Sequence, residues 1–438
     1  MSAIVDNIPT TGRDVREKLA ELSPLMVASF LVQVSNAAIT TMIAIVIAQR
    51  GGEQSDVSLI AACYALGFML GCFVAPSQTY RVGLIRAYAG AAALVTMAIV
   101  GMELLEGVGL WAFLRFMMGA SIASVLAISD AWMNSNTPSN LRGRVIATYS
   151  IVMGLGSLAS QMIFLLVDAE ADGFVLMFAV VMNFAVVLVA FTSSSPPTIE
   201  PPPKKRFRIL TITSMTASIA AFVSGFTVVS IISILPFYLT EHEVTAELVA
   251  MSLATLYLGR LLFQWPIGSL SDRLDRRTIL VVLSAIVAAL MVLMILVGAR
   301  DGKALSGDLG PLMQGGVFLM TLLLGGMIFP IYSVASSLAF DRADGKSMID
   351  ISTSLLVVYS IGSIAGPFAV MAISEIIEEP ALPVCILIAC ALIIGTGLFR
   401  KVSVAVPTEH LPSTVIIPES SVEMVQAAAE VVEEQADD

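Results

Sequence analysis

Two arginines that lie inside long apolar stretches are the residues of this sequence best suited to bind a ligand. Arg115 and Arg260 are flanked almost entirely by apolar side chains. A guanidinium keeps its charge in proteins and offers five N–H donors in a planar fork, which suits carboxylate and phosphate groups. A buried charge without a counter-charge is strongly unfavourable. The two arginines therefore predict a binding site for an anionic solute.

A structural role is the alternative for both arginines. Each could donate to backbone carbonyls, Gln33 or Asn36, or extend its charged end toward water. None of the 34 acidic residues falls in the middle of an apolar stretch, so the sequence supplies no obvious buried counter-charge. The uncharged polar candidates for the site are Gln33, Asn36, Gln264 and Tyr332, with Gln161, Asn183, Trp265 and Tyr359 as further ones. Each of these could equally be a hydrogen-bond partner between helices.

A second group of charges occupies the short polar interval GSLSDRLDRR between two apolar stretches. Gly268 permits close helix packing, and Asp272 supplies a fixed negative charge. Arg273, Arg276 and Arg277 place positive charge where a spanning helix meets the lipid headgroups. Arginines alone could serve only to set topology, but that role does not explain the glycine and the aspartate.

The elements that must position these residues follow from composition. The chain has 438 residues, of which 57% are hydrophobic and only 13% charged, whereas a soluble domain carries about a quarter charged residues. An apolar run of about 18 or more residues indicates a membrane-spanning helix. Twelve such runs cover about 25–48, 57–76, 86–105, 109–132, 145–167, 173–192, 210–239, 248–269, 278–298, 312–337, 350–374 and 381–399. The predicted fold is an all-α membrane protein with twelve transmembrane helices.

Charged residues outside the apolar runs predict how the chain is oriented in the membrane and where it divides into two halves. Most of the 23 Lys and Arg residues fall in every second interval between the apolar runs. Positive residues stay on the cytoplasmic side, so we predict a protein of the plasma (cell inner) membrane with both termini in the cytoplasm. The Pro-rich, basic interval 193–209 has six apolar runs before it and six after it. Weak repetition between the two halves supports this division. The predicted parts are a cytoplasmic segment 1–24, a six-helix bundle 25–192, a linker 193–209, a six-helix bundle 210–400 and an acidic tail 401–438.

Several of these motifs resemble those of the major facilitator superfamily. The interval Gly268–Arg277 resembles its G-x-x-x-D-R-x-G-R-R loop, Arg115–Gly119 its R-x-x-x-G motif, and Gly362–Pro367 its G-x-x-x-G-P signature. Three further segments resemble the YcaD-like branch of its bacterial members: SDAWMN (Ser129–Asn134), LLFQWPIGSLSDR (Leu261–Arg273) and FPIYSV (Phe329–Val334). The resemblance implies two bundles that rock about a shared solute site.

The resemblance also implies a gate. Asp272 would hold the inner gate closed, with its partner near Arg144 at the start of the fifth run. The first-half copy of the motif departs from the pattern, because Tyr80 stands where an aspartate is expected. Asp130, near an inner helix end, is either part of a salt bridge with arginines of this region or a proton site, and proton coupling is an expectation from the family alone.

These patterns predict a secondary transporter of a small solute that contacts membrane lipid and acts as a monomer. Efflux of small molecules and uptake of an anionic metabolite both stay open. A membrane sensor or scaffold with the same fold is the alternative, in which the acidic tail would be the working part. The sequence carries no phosphate-binding or zinc-protease motif, so we expect no enzyme activity, no cofactor, no metal site and no nucleic-acid partner.

Overall fold

The computed structural model describes residues 12–167, 173–191, 214–242, 244–300, 311–342, 348–377 and 380–399, and every regular element in these ranges is an α-helix. The predicted linker 193–209 and acidic tail 401–438 lie outside the described residues. The helices are α1 (Gly12–Gln49), α2 (Gln54–Val82), α3 (Leu84–Leu104), α4 (Val108–Ser135), α5 (Ser139–Leu166), α6 (Phe174–Ala190), α7 (Met215–Glu241), α8 (Ala246–Arg273), α9 (Arg276–Arg300), α10 (Pro311–Ile328), α11 (Pro330–Phe340), α12 (Met348–Ser374) and α13 (Ala381–Phe399).

The helices have the length and composition that a bilayer requires. Eleven helical segments in the described ranges are long and apolar enough to cross a membrane, and α6 is a shorter apolar helix. A helix satisfies its backbone hydrogen bonds internally, so it can cross a medium that offers no water. The predicted runs correspond to these helices, which confirms an all-helical, multi-pass membrane protein.

The first helix extends beyond the apolar run that predicted it. It begins at Gly12, whereas the apolar run begins near Leu25. Polar residues continue the helix at its N-terminal end, where the Nζ atom of Lys18 lies 2.8 Å from a carboxylate oxygen of Glu21. Pairs three residues apart share one helix face and stabilise it.

The tenth predicted run, 312–337, corresponds to one candidate span, Gln314–Phe340, in which a proline interrupts the helix between α10 and α11. The chain leaves α10 at Ile328, and Pro330 is the first residue of α11. Proline lacks the N–H that would bond to the carbonyl four residues earlier, and its ring collides with that carbonyl. It is accepted at the first position of a helix, where that N–H has no partner anyway. The break places Phe329 at the junction.

Three helix pairs pack so closely that only glycine fits between them. A Cβ atom on Gly119 would collide with the Tyr64 carbonyl oxygen where α4 crosses α2. A Cβ atom on Gly325 would collide in the same way with the Leu256 carbonyl where α10 crosses α8. The third pair is α7 with α12. Small residues let helix backbones approach in lipid, where van der Waals contact drives association.

Helices from the two halves of the sequence also contact each other. The pairs are α1 with α7, α2 with α12, and α5 with α8. These contacts enclose the cavity in which the predicted arginines lie.

Candidate functional site

A cavity of about 180 Å³ lies between helices from both halves of the sequence. One water needs only about 10–15 Å³ of such space, so the cavity can hold a small organic solute. Its lining comes from α1, α2, α4 and α5 on one side and from α7, α8, α12 and Phe329 on the other. Five residues that the sequence proposed for a solute site line this one cavity: Gln33, Asn36, Arg115, Arg260 and Tyr359.

Arg115 is held firmly by its neighbours. Its residue is 2% exposed, and its guanidinium lies 4.2 Å from the centre of the Tyr64 ring. Its Nη2 donates to Thr40 Oγ1 at 3.0 Å, and its Nη1 donates to Met118 Sδ at 3.4 Å. Its buried Nε has no hydrogen-bond partner among the described residues. The charge of Arg115 is therefore fixed in place by a ring face and neutral acceptors.

Arg260 is held differently. It is half-buried, and its guanidinium lies 4.7 Å from the centre of the Phe329 ring. Among the described residues, no carboxylate lies within ion-pair distance of Arg260 or Arg115, and no Asp or Glu lines the cavity. A cation over a ring face is stabilised by the ring's charge distribution without using its N–H donors. Arg260 can therefore offer its donors to a ligand.

The rest of the wall is aromatic and neutral. The rings of Tyr64, Phe68, Tyr257, Phe329 and Tyr359 line the cavity. Gln33 and Ser157 join α1 to α5 in the wall through a hydrogen bond of 2.8 Å from Gln33 Nε2 to Ser157 Oγ. Such a lining suits a ligand with an apolar body and few polar groups.

Gln264 and Tyr332 are not among the residues that line the cavity. Tyr332 is buried behind the wall, where its ring packs edge-on against that of Tyr359 with centroids 5.1 Å apart. Gln264 is half-buried, one turn of α8 beyond Arg260.

Sequence reasoning missed most of the aromatic lining. Tyr64 and Phe329 lie within apolar runs, where a ring is more often a packing residue. One signal was available for Tyr257, because it precedes Arg260 by three residues and so shares its helix face. A search for aromatic residues three or four positions from each buried arginine would have found it.

The charged interval after α8 forms a second, separate cluster around Arg276. Its residue is 3% exposed, and its Nε lies 3.0 Å from Asp341 Oδ2 at the end of α11. Its Nη2 lies 3.6 Å from Asp272 Oδ1 at the end of α8. One buried cation between two carboxylates thus ties together the ends of α8, α9 and α11. We call Asp272, Arg276 and Asp341 the charge cluster.

The neighbouring motif residues fix α9 beside this cluster. Arg277 is buried, and its Nη2 donates to the Thr396 carbonyl near the end of α13 at 3.0 Å. Asp275 accepts from the backbone N–H of Arg277 at 3.2 Å and from the Thr278 hydroxyl at 3.1 Å. A carboxylate at a helix N-terminus satisfies backbone donors there and is favoured by the helix dipole.

The other residues assigned to gating lie around this region. Gly268 is half-buried, Arg273 is exposed, and Arg144 is exposed near the start of α5. Asp130 is fully buried near the end of α4. Since α5 packs against α8, a contact between Asp272 and the start of α5 stays a prediction compatible with this packing.

The chain is similar to known membrane transporters. The sequence profile of the Major Facilitator Superfamily matches residues 25–367. An uncharacterized MFS-type transporter YcaD from Escherichia coli O6:K15:H31 is 25% identical over 358 residues, which cover 78% of this chain and 86% of the relative. The same protein from Escherichia coli O7:K1 is 25% identical over 352 residues, with the same coverage of both chains.

Solved structures share the fold at low sequence identity. The nucleoside transporter NupG superposes with a TM-score of 0.66 at 10% identity, over 86% of this chain and 97% of that chain. The xylose transporter XylE from E. coli superposes with a TM-score of 0.62 at 13% identity, over 87% of this chain and 96% of that chain. With the profile match over most of the sequence, these likenesses identify a membrane transporter rather than an enzyme, and the chain belongs to the major facilitator superfamily.

Proposed function

We propose that this protein is a secondary active carrier of a small anionic solute that works by alternating access. The observation that carries the proposal is the cavity between the two halves, which holds two arginines and, in its described lining, no acidic residue. Arg115 is buried and Arg260 is half-buried, so the two charges repel each other and lose hydration, and an anion that enters the cavity is stabilised by both.

The proposed architecture is twelve spans in two six-helix bundles, 25–192 and 210–400. The linker 193–209 would join the bundles, and both termini would face the cytoplasm of the inner membrane. The bundles would rock about the solute, which is the mechanism expected of carriers built from repeated halves. The charge cluster and Arg144 would lie at the cytoplasmic end and stabilise the state in which that end is closed.

The first test removes the arginine with free donors. Replacing Arg260 with glutamine should weaken binding of a small carboxylate by about 30-fold or more, because an ion pair truncated on one side typically loses 2–5 kcal/mol. Binding to the purified protein would be measured by calorimetry. Arg260→Lys should restore part of the affinity, since it keeps the charge but not the planar fork.

A surface arginine supplies the control for this test. The Arg50 side chain is 56% exposed, lies outside the cavity and pairs with Glu106 at 3.4 Å. Arg50→Gln should leave the affinity unchanged. Equal affinities for the wild type and Arg260→Gln would assign Arg260 a structural role and remove the support for an anionic solute.

The second test concerns rocking. Cysteines in place of Arg144 and Arg273, both exposed and near the neighbouring ends of α5 and α8, would be joined by a short reducible crosslinker. The four native cysteines, Cys63, Cys72, Cys385 and Cys390, would first be replaced by alanine. We expect crosslinking to abolish solute flux into proteoliposomes and reduction to restore it, because locked bundles cannot alternate. Full flux through the crosslinked protein would contradict alternating access.

A further inference from the structure

We propose that the cavity selects a flat aromatic solute that carries a single carboxylate. This inference rests on the proposed function, because it specifies which anion the carrier accepts. Three features of the site support it: the unequal engagement of the two arginines, the position of Arg260 over a ring, and the aromatic lining.

The two arginines differ in how much of the guanidinium is available to a ligand, and this difference favours a ligand with a single anionic group. Arg115 is only 2% exposed, and two of its five N–H donors already bond to Thr40 and Met118, so its guanidinium is largely withdrawn from the cavity. Arg260 contacts the Phe329 ring, and its guanidinium donates no hydrogen bond to a described residue. A carboxylate can therefore form its two parallel hydrogen bonds with Arg260. Arg115 adds a favourable field from a fixed position.

The position of Arg260 over Phe329 favours a flat ligand. The guanidinium carbon of Arg260 lies over the Phe329 ring, 4.7 Å from its centre, and this contact uses none of the N–H donors, which are left for a ligand. A paired carboxylate lies in the plane of the guanidinium. In an aromatic acid the ring is conjugated with the carboxylate and lies in the same plane. Such a ligand would extend from Arg260 as one flat unit.

The lining of the cavity then supplies surfaces for the ligand ring. Tyr64, Phe68, Tyr257 and Tyr359 contribute rings from α2, α8 and α12. Aromatic pairs gain about 0.5–1.5 kcal/mol beyond the burial of their area when rings stack offset or meet edge to face. An aliphatic ring of similar size gains only the burial.

The test compares four ligands on the purified full-length protein in lipid nanodiscs by calorimetry. Benzoate and cyclohexanecarboxylate share charge and approximate size but differ in flatness, so benzoate should bind about threefold to tenfold more tightly. Benzamide lacks the charge and should bind about 30-fold or more weakly. Terephthalate carries a second carboxylate, for which the cavity offers only the 2%-exposed Arg115, so it should bind no more tightly than benzoate.

The outcomes separate this inference from the proposed function. Equal binding of benzoate and cyclohexanecarboxylate would overturn the aromatic selectivity and leave anion binding intact. Tighter binding of terephthalate would overturn the single-anion claim. Equal binding of benzamide and benzoate would contradict the proposal that the solute is anionic. An absence of benzoate binding at millimolar concentrations would overturn the inference of an aromatic carboxylate.

A variant adds a second measurement. Phe329→Leu keeps an apolar side chain beneath Arg260 but removes the ring face that positions the guanidinium. We expect it to weaken benzoate and cyclohexanecarboxylate together, because the residue acts through Arg260. A loss restricted to benzoate would instead show that Phe329 contacts the ligand ring. Should the variant fail to fold, the four ligands on the wild type still decide the inference.

Discussion

Replacement of Arg276 with glutamine should destabilise the protein by about 3–5 kcal/mol, which is the usual effect of removing one partner from a buried ion pair. Arg276 lies between Asp341, whose side chain is 9% exposed, and Asp272, whose side chain is 23% exposed. Without the cation, two carboxylates would share a poorly hydrated site. The measurement is the thermal unfolding midpoint of the purified variant in detergent.

The exposed neighbour Arg273 is the matched control. It belongs to the same motif but lies in solvent or headgroups, so Arg273→Gln should change the midpoint little. A double variant, Arg276→Met with Asp341→Leu, should recover part of the loss, since it removes the buried charges together. An Arg276→Gln variant as stable as Arg273→Gln would show that the charge cluster contributes no stability.

Gly325→Ala should cost about 2–4 kcal/mol of folding stability, because the added methyl group has no space. A Cβ atom there would collide with the carbonyl group and Cα atom of Leu256 in α8, and neither can move without shifting that helix. The helices would have to separate along the close contact that Gly259 and Gly325 form between α8 and α10. Thermal unfolding and the fraction of monodisperse protein after purification would measure the loss.

Gly315, which also lies on α10, is the matched control, and we expect alanine there to have a different effect on stability. Apart from its chain neighbours and the backbone of its own helix, no described atom lies within 4 Å of the position where its Cβ would stand. Gly315→Ala should therefore be neutral or stabilise slightly, since alanine favours a helix over glycine by about 0.5–1 kcal/mol. Equal effects of the two substitutions would show that close packing at Gly325 does not limit stability.

The sequence predicted the spans well because their signal is local. Hydrophobic length alone distinguishes a spanning helix, and the tenth run is indeed one candidate span, but its length did not indicate that Pro330 interrupts the helix within it. Gly119 in the first half of the sequence and Gly325 in the second are examples of the weak repetition between the halves. Its physical meaning, the same close crossing in two helix pairs, required coordinates.

Residues of the candidate site could be predicted from the sequence only where their type is rare in an apolar run. A charged residue in an apolar run is conspicuous, so Arg115 and Arg260 could be proposed, and both line the cavity. Tyr332 and Tyr359 could not be told apart from the sequence, because both are tyrosines in apolar runs. One lies behind the wall and the other in it, which depends on the rotation of each helix about its axis.

The short helix α11 joins two places that are otherwise distant. At its start Phe329 lies under Arg260 in the cavity, and at its end Asp341 lies against Arg276. Its 11 residues span roughly 16 Å and, as a hydrogen-bonded rod, do not bend easily. A displacement at either end of this helix would therefore be transmitted to the other end, which couples the surroundings of Arg260 to those of Arg276.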